Sequence, residues 1–112
     1  PLVNSFDFNI KSKTSQESSV LRTSLHSYIF NYGKESVNFW WSHDGVEHNQ
    51  VIDPDDSIYI EPFIDHKFFN VADGNARMFI FRVGGEVTLS VQKEISSFAR
   101  SDRIIETMTW FN

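Results

Sequence analysis

The chain contains no cysteine, and that absence removes disulfides, thiolate metal sites and cysteine nucleophiles together. It also fits a cytoplasmic protein, which is the expected localisation. Glycine and proline are scarce, five and three among 112 residues, so a collagen-like or linker-dominated chain is excluded. No apolar run approaches the ~18 residues that a spanning helix needs, and no membrane partner is expected. No charged-then-apolar leader is visible either. Positive charge is in deficit: 10 Lys and Arg stand against 15 Asp and Glu, for a formal charge of −5. The basic residues are scattered, whereas a nucleic-acid binder carries a basic stripe, so nucleic acid is not an expected partner. There is no GxSxG elbow, and Gly84-Gly85 stands outside any phosphate-cradling loop pattern.

What the chain has in quantity is aromatic. Eleven Phe, 3 Tyr and 3 Trp must build the core of one small domain from few, large side chains. The chain opens on Pro1 rather than Met, which suggests processing or a domain cut from a longer protein.

Residues 1–19 read as an N-terminal edge strand and a linker. Leu2 to Ile10 alternates in part through Phe6, Phe8 and Ile10, and Lys11 to Ser19 (KSKTSQESS) is polar and low in complexity. From Val20 the pattern is that of strands. VLRTSLHSYIFNY has period two up to Gly33, placing Val20, Arg22, Ser24, His26, Tyr28 and Phe30 on one face. Val37, Phe39 and Trp41 mark a second strand. Adjacent Trp40 and Trp41 face opposite ways, so at most one points inward. Asp44-Gly45 is a strong hairpin signal, Pro54-Asp55-Asp56 a further turn, and Asp73-Gly74-Asn75 another. ARMFIFRV is apolar on both faces, as in a strand covered on both sides. After Glu86 the spacing becomes helical: Ser90 is the expected N-cap, with Val91, Ile95, Phe98 and Ala99 following. A second helix is expected from Ser101-Asp102, with an apolar stripe of Ile104, Ile105, Met108 and Phe111. Trp110 and Phe111 suit a docking stripe. This C-terminal stretch balances acids and bases, so a membrane-surface helix is not expected. Strands first and helices last predict residues 20–112 to be an all-β barrel with a short helical C-terminal extension.

Four histidines and fifteen carboxylates are the candidates for metal or acid–base chemistry. Pro54 to Asn70 (PDDSIYIEPFIDHKFFN) resembles the second conserved motif of the cupin family. In that motif a Gly opens a turn, a strand follows, and a Pro-containing turn leads to a metal-binding His, with Asn four residues on. Here Asp55 takes the opening Gly position, Phe63 the inner Gly position, His66 the His position and Asn70 the Asn position. The resemblance implies a cupin-like double-stranded β-helix, or jelly-roll barrel, with His66 facing the lumen. Counted back from Gly33, the first cupin motif has His26 where the family has Glu and Arg22 where it has the second His. A guanidinium cannot ligate a metal. On one strand face, Arg22 and His26 would point inward, leaving a polar lumen with a broken metal site.

A finer resemblance spans roughly residues 20–111. DSIYIEPFIDHKF, FRVGGEV and the tail LSVQKEISSFARSDRIIETMTWF resemble the barrel repeats of the phosphonate oxygenase family. Its members include 2-hydroxyethylphosphonate dioxygenase and methylphosphonate synthase, non-haem Fe(II) dioxygenases built from tandem helical-plus-cupin repeats. The resemblance implies a parent enzyme that uses Fe(II) and O2 to cleave the carbon–carbon bond of 2-hydroxyethylphosphonate, giving methylphosphonate or hydroxymethylphosphonate. One repeat holds the iron, and the C-terminal repeat has lost its ligands. This chain resembles that degenerate repeat, inactive alone and partnered by the catalytic repeat of the same protein or subunit, or by further copies in a homo-oligomer. The family's ligand Glu, six residues before the His, is Ile60 here, and neighbouring Glu61 should face the other way.

No catalytic, metal or cofactor residue is therefore assigned. His26 and His66 remain the metal candidates, and they would need Glu47 or Asp65 as a carboxylate. His43, with Glu47 four residues on, matches a spacing of some iron epoxidases, but the Asp44-Gly45 turn sends Glu47 to the opposite pleat face. Arg22, His26 and His66 are also candidates for holding a small anion, a carboxylate or phosphonate, in a metal-free lumen. That is the alternative reading: a free-standing cupin-like binding module.

Overall fold

The computed structural model describes residues 3–15 and 20–107. Among these described residues nine strands run in the order β1 (Val3–Ile10), β2 (Thr14–Ser15), β3 (His26–Asn31), β4 (Val37–His43), β5 (Val46–Ile52), β6 (Ser57–Ile60), β7 (Asp65–Asn70), β8 (Ala76–Val83) and β9 (Ile104–Glu106). One helix, α1 (Leu89–Ser96), lies between β8 and β9. The strands form a five-stranded sheet, β1-β8-β3-β6-β9, and a four-stranded sheet, β2-β7-β4-β5.

The hairpin signal is realised. Asp44 and Gly45 both have positive φ, 48° and 77°, as the two-residue turn requires, and β4 pairs antiparallel with β5 from His43↔Val46 to Val37↔Ile52. Gly33 is held by close approach, since a Cβ there would lie 2.9 Å from the Arg77 backbone nitrogen.

The space between the sheets is filled from both sides. Ile29, Ile58, Ile60, Met78 and Ile80 come from the larger sheet, and Val37, Phe39, Trp41, Ile52 and Phe68 from the smaller. Every one of these is buried, so the lumen is a packed apolar core. A second cluster lies on the opposite face of the larger sheet, where Phe30 and Val83 pack against Ile95 of α1, flanked by Phe79 and Phe81. β8 is thus covered on both faces, in accord with its doubly apolar sequence.

The two cupin glycine positions carry a conformational signature. Asp55 and Phe63 have φ of 71° and 66°, the left-handed region that glycine occupies freely. The motif asparagine is a structural clamp. Asn70 is fully buried, and its Nδ2 reaches the carbonyls of Ile10 at 2.9 Å, Lys11 at 3.2 Å and Gly74 at 2.9 Å. It ties the end of β1 to the turn after β7.

Four local expectations are corrected. The strand expected from Val20 begins only at His26; upstream, Leu21 makes an isolated bridge to His66, and Arg22 lies outside any strand. The polar linker contributes β2, which pairs with Phe69 and Asn70 of β7. The helix N-cap is Thr88, whose hydroxyl accepts from the Val91 amide, rather than Ser90. The second helix is absent at Ile104–Glu106, which instead form β9 and extend the larger sheet parallel to β6. Adjacent β-branched Ile104 and Ile105 suit an added edge strand, and a short apolar run does not distinguish the two outcomes by spacing. Met108, Trp110 and Phe111 lie outside the described residues.

Candidate functional site

Strand parity decides which side chains meet. On β7, His66 alternates with Asp65 and Lys67 and points into the lumen, where it is 3% exposed. Its ring lies 6.1 Å from Phe39 and 6.3 Å from Phe68, centroid to centroid. Its Nδ1 donates to the Ile64 carbonyl at 2.9 Å, leaving Nε2 as the acceptor. Burial holds the imidazole below its ordinary pKa, a shift that the Arg82 charge reinforces and the Ile64 hydrogen bond opposes.

Arg22 is not in the lumen. It lies on the surface and grips Asp65 through two bonds, Nε–Oδ1 at 2.6 Å and Nη2–Oδ2 at 2.9 Å. His26 begins β3 on the side of Tyr28 and Phe30, which is the outer face of the larger sheet. The inward residues of β3 are Ser27, Ile29 and Asn31. Arg22, His26 and His66 are therefore distributed among the surface, the outer face and the lumen, and no common site collects them. The expectation that Arg22 and His26 point inward together is corrected on both its premises. Arg22 is outside the strand, and the inward parity of β3 is the odd one.

The remaining candidates are likewise dispersed. His43 pairs with Val46 and Ser42 with Glu47, so Glu47 sits on the opposite face from His43, as the turn predicts. His43 contacts Asp44 at 3.0 Å, and Glu47 accepts from the Trp40 indole at 3.2 Å. Trp41 is the inward member of its pair and stacks on His48 with centroids 5.0 Å apart. Among the described residues no three His, Asp or Glu side chains converge in a way that would hold a metal ion.

Sequence reasoning missed Arg82. It alternates with Phe81 and Val83 of the outer cluster and so shares the inward parity of Met78 and Ile80. Its guanidinium stands 5.0 Å over the Phe6 ring, and its Nε is buried without a hydrogen-bond partner among the described residues. The strand reading of ARMFIFRV as apolar on both faces hid this cation.

A cavity of about 410 Å³ opens on the outer face of the larger sheet, between β3, β6, β9 and α1. His26 lines it, with its Nδ1 2.7 Å from the Tyr59 hydroxyl and its ring stacked on Tyr59. The Tyr59 phenol is pushed up to about 12 by burial, with the neighbouring Tyr28, Glu61 and Glu106 adding to the effect.

No protein-family model matches the chain. Methylphosphonate synthase from Nitrosopumilus maritimus is 32% identical over 115 residues, covering 99% of this chain and 24% of that protein. Along almost its whole length the chain is similar to one part of that synthase. It spans about a quarter of the length of that curated relative. Among solved structures, Streptomyces albus HEPD, with 2-hydroxyethylphosphonate and Fe(II) bound, superposes with a TM-score of 0.62 at 18% identity, over 88% of this chain and 22% of that one. Bacillus subtilis oxalate decarboxylase gives 0.65 at 11% identity, over 79% and 22%. Hydroxypropylphosphonic acid epoxidase from S. wedmorenis gives 0.58 at 11% identity, over 71% and 42%. These likenesses show the fold, a cupin β-barrel with a short helix.

The Fe(II) bound in HEPD has no matching donor set among the described residues of this chain. A non-haem iron site of this class needs two histidines and one carboxylate with open positions. The lumen at the motif position offers one imidazole with Nδ1 committed to a carbonyl, walled by phenyl rings, beside a guanidinium. These residues do not fit iron.

Proposed function

We propose that this chain is the non-catalytic cupin repeat of an Fe(II)- and O2-dependent phosphonate oxygenase, supporting a catalytic repeat of the same protein or subunit. The observation that carries this reading is the setting of His66: the motif histidine is retained, but its ring lies between Phe39 and Phe68, its Nδ1 is bonded to the Ile64 carbonyl, and among the described residues no three His, Asp or Glu side chains converge to hold a metal. The coverage supports it too, because a relative about four times longer leaves room for a separate metal-holding barrel. In this reading 2-hydroxyethylphosphonate is handled in the catalytic repeat. Exposed Leu89, Phe98 and Ile104 supply apolar surface for that neighbour.

Metal analysis after anaerobic loading tests the reading. The purified chain is incubated with Fe(II), separated from free metal, and assayed for iron per chain. The expected content is far below stoichiometric; one tightly held iron per chain overturns the proposal.

A further inference from the structure

We propose that the cavity beneath α1 is a binding site for an arylalkyl-ammonium ligand, separate from the lumen. Its volume of about 410 Å³ falls in the range of small-molecule sites. The floor is aromatic: Tyr28, Phe30 and Tyr59 line it, and the Tyr28 and Tyr59 rings are 4.9 Å apart. Two carboxylates, Glu86 and Glu106, stand on the wall, and among the described residues no Lys or Arg lines the cavity. Nearby guanidinium groups are committed elsewhere. Arg103 binds Asp53 and Asp56, and Arg100 lies 4.0 Å over the Tyr32 ring. The imidazole of His26 is tied to the Tyr59 hydroxyl.

An independent observation points to a ligand with a polar group. Ser57 is 4% exposed and lines the cavity, and its Oγ is buried with no hydrogen-bond partner among the described residues. A buried hydroxyl left unpaired is costly, and a polar group in the cavity would relieve it; Glu86 and Glu106 favour a cationic donor over an anionic acceptor in that place. The Tyr28 and Tyr59 phenols are held protonated well above neutral pH, by burial first and then by charges that include Glu106. The same negative field favours a cation, and ring faces attract one further in a partly dry site. A primary ammonium on an aromatic body meets each demand: charge for the carboxylates, N–H for Ser57, and a ring against the apolar floor.

Three probes sharing one body separate these demands: phenethylammonium, 2-phenylethanol and phenylacetate, each titrated into the 112-residue chain by amide chemical shifts. The ammonium should bind about tenfold more tightly than the alcohol, with phenylacetate weakest and shifts centred on β3, β6 and α1. Ser57→Ala and Glu106→Gln should each weaken the ammonium about threefold, and Glu106→Gln should leave the alcohol unchanged. Among the described residues the Ser57 hydroxyl has no partner to lose, and Glu106 is exposed, so both variants should keep the parent amide spectrum. Alcohol binding equal to the ammonium, ammonium shifts away from the cavity, or no saturable binding would each overturn the assignment.

Discussion

Phe63 shows how a departure from motif leaves a measurable trace. It holds φ of 66° with 67% of its surface exposed, so it bears the left-handed backbone cost without repaying it in packing. Phe63→Gly should stabilise the chain by about 0.5 kcal/mol, the relieved strain being offset in part by the greater freedom of unfolded glycine. A higher urea midpoint at unchanged slope is the expected result, and Phe63→Ala, which keeps Cβ, should show no gain. His66 makes a prediction in pH. Its folded pKa lies below the ordinary 6.5, so as pH falls through 6.5 the unfolded chain takes up a proton that the folded chain resists. Stability present above that value is lost below it. Unfolding measured at pH 7.5 and 5.5 should show a decline that is smaller in His66→Leu; an equal decline in both would remove His66 as its source.

At the scale of elements, the junction of β9 with the barrel depends on a charge pair of unequal burial. Asp56 is 5% exposed and receives Arg103 Nη1 at 2.6 Å and its neighbour's amide, Asp53 N, at 2.8 Å. Removing the guanidinium leaves a buried carboxylate with one backbone donor, while the exposure of Arg103 itself limits the loss. Arg103→Ala should cost about 2 kcal/mol in chemical denaturation. Asp56→Asn in the same background should recover part of it, because the acceptor stays and the charge goes. This element also marks the reach of pattern reading. The Asp44-Gly45 hairpin was legible because its turn chemistry is local. β9 was not, because Ile104-Ile105 gains its strand from pairing with β6, far away in sequence.

Across the whole molecule, the sequence revealed β1, β3 to β8 along the chain and the double cover of β8, but neither β2 and β9 nor the parity of β3. The reason is physical. Tyr28 and Phe30 on one face and Ile29 on the other are equally suited to burial, since α1 supplies a second core outside the sheet. Period two reports alternation without stating which face is the lumen, so His26 was expected inside and lies outside. His66 was placed correctly because the cupin turn at Phe63 and the clamp at Asn70 fix its register. Arg82 escaped notice for the converse reason, as a charge within an apolar run whose partners come from two other strands, β1 and β3.

The claim that this repeat has surrendered metal chemistry is tested most directly in the full-length oxygenase that the proposal requires. His66→Leu there replaces the imidazole at the motif position with a side chain suited to its aromatic surroundings. The account predicts unchanged iron per polypeptide and substantial retention of phosphonate turnover. Loss of the iron from a variant that remains folded would contradict it.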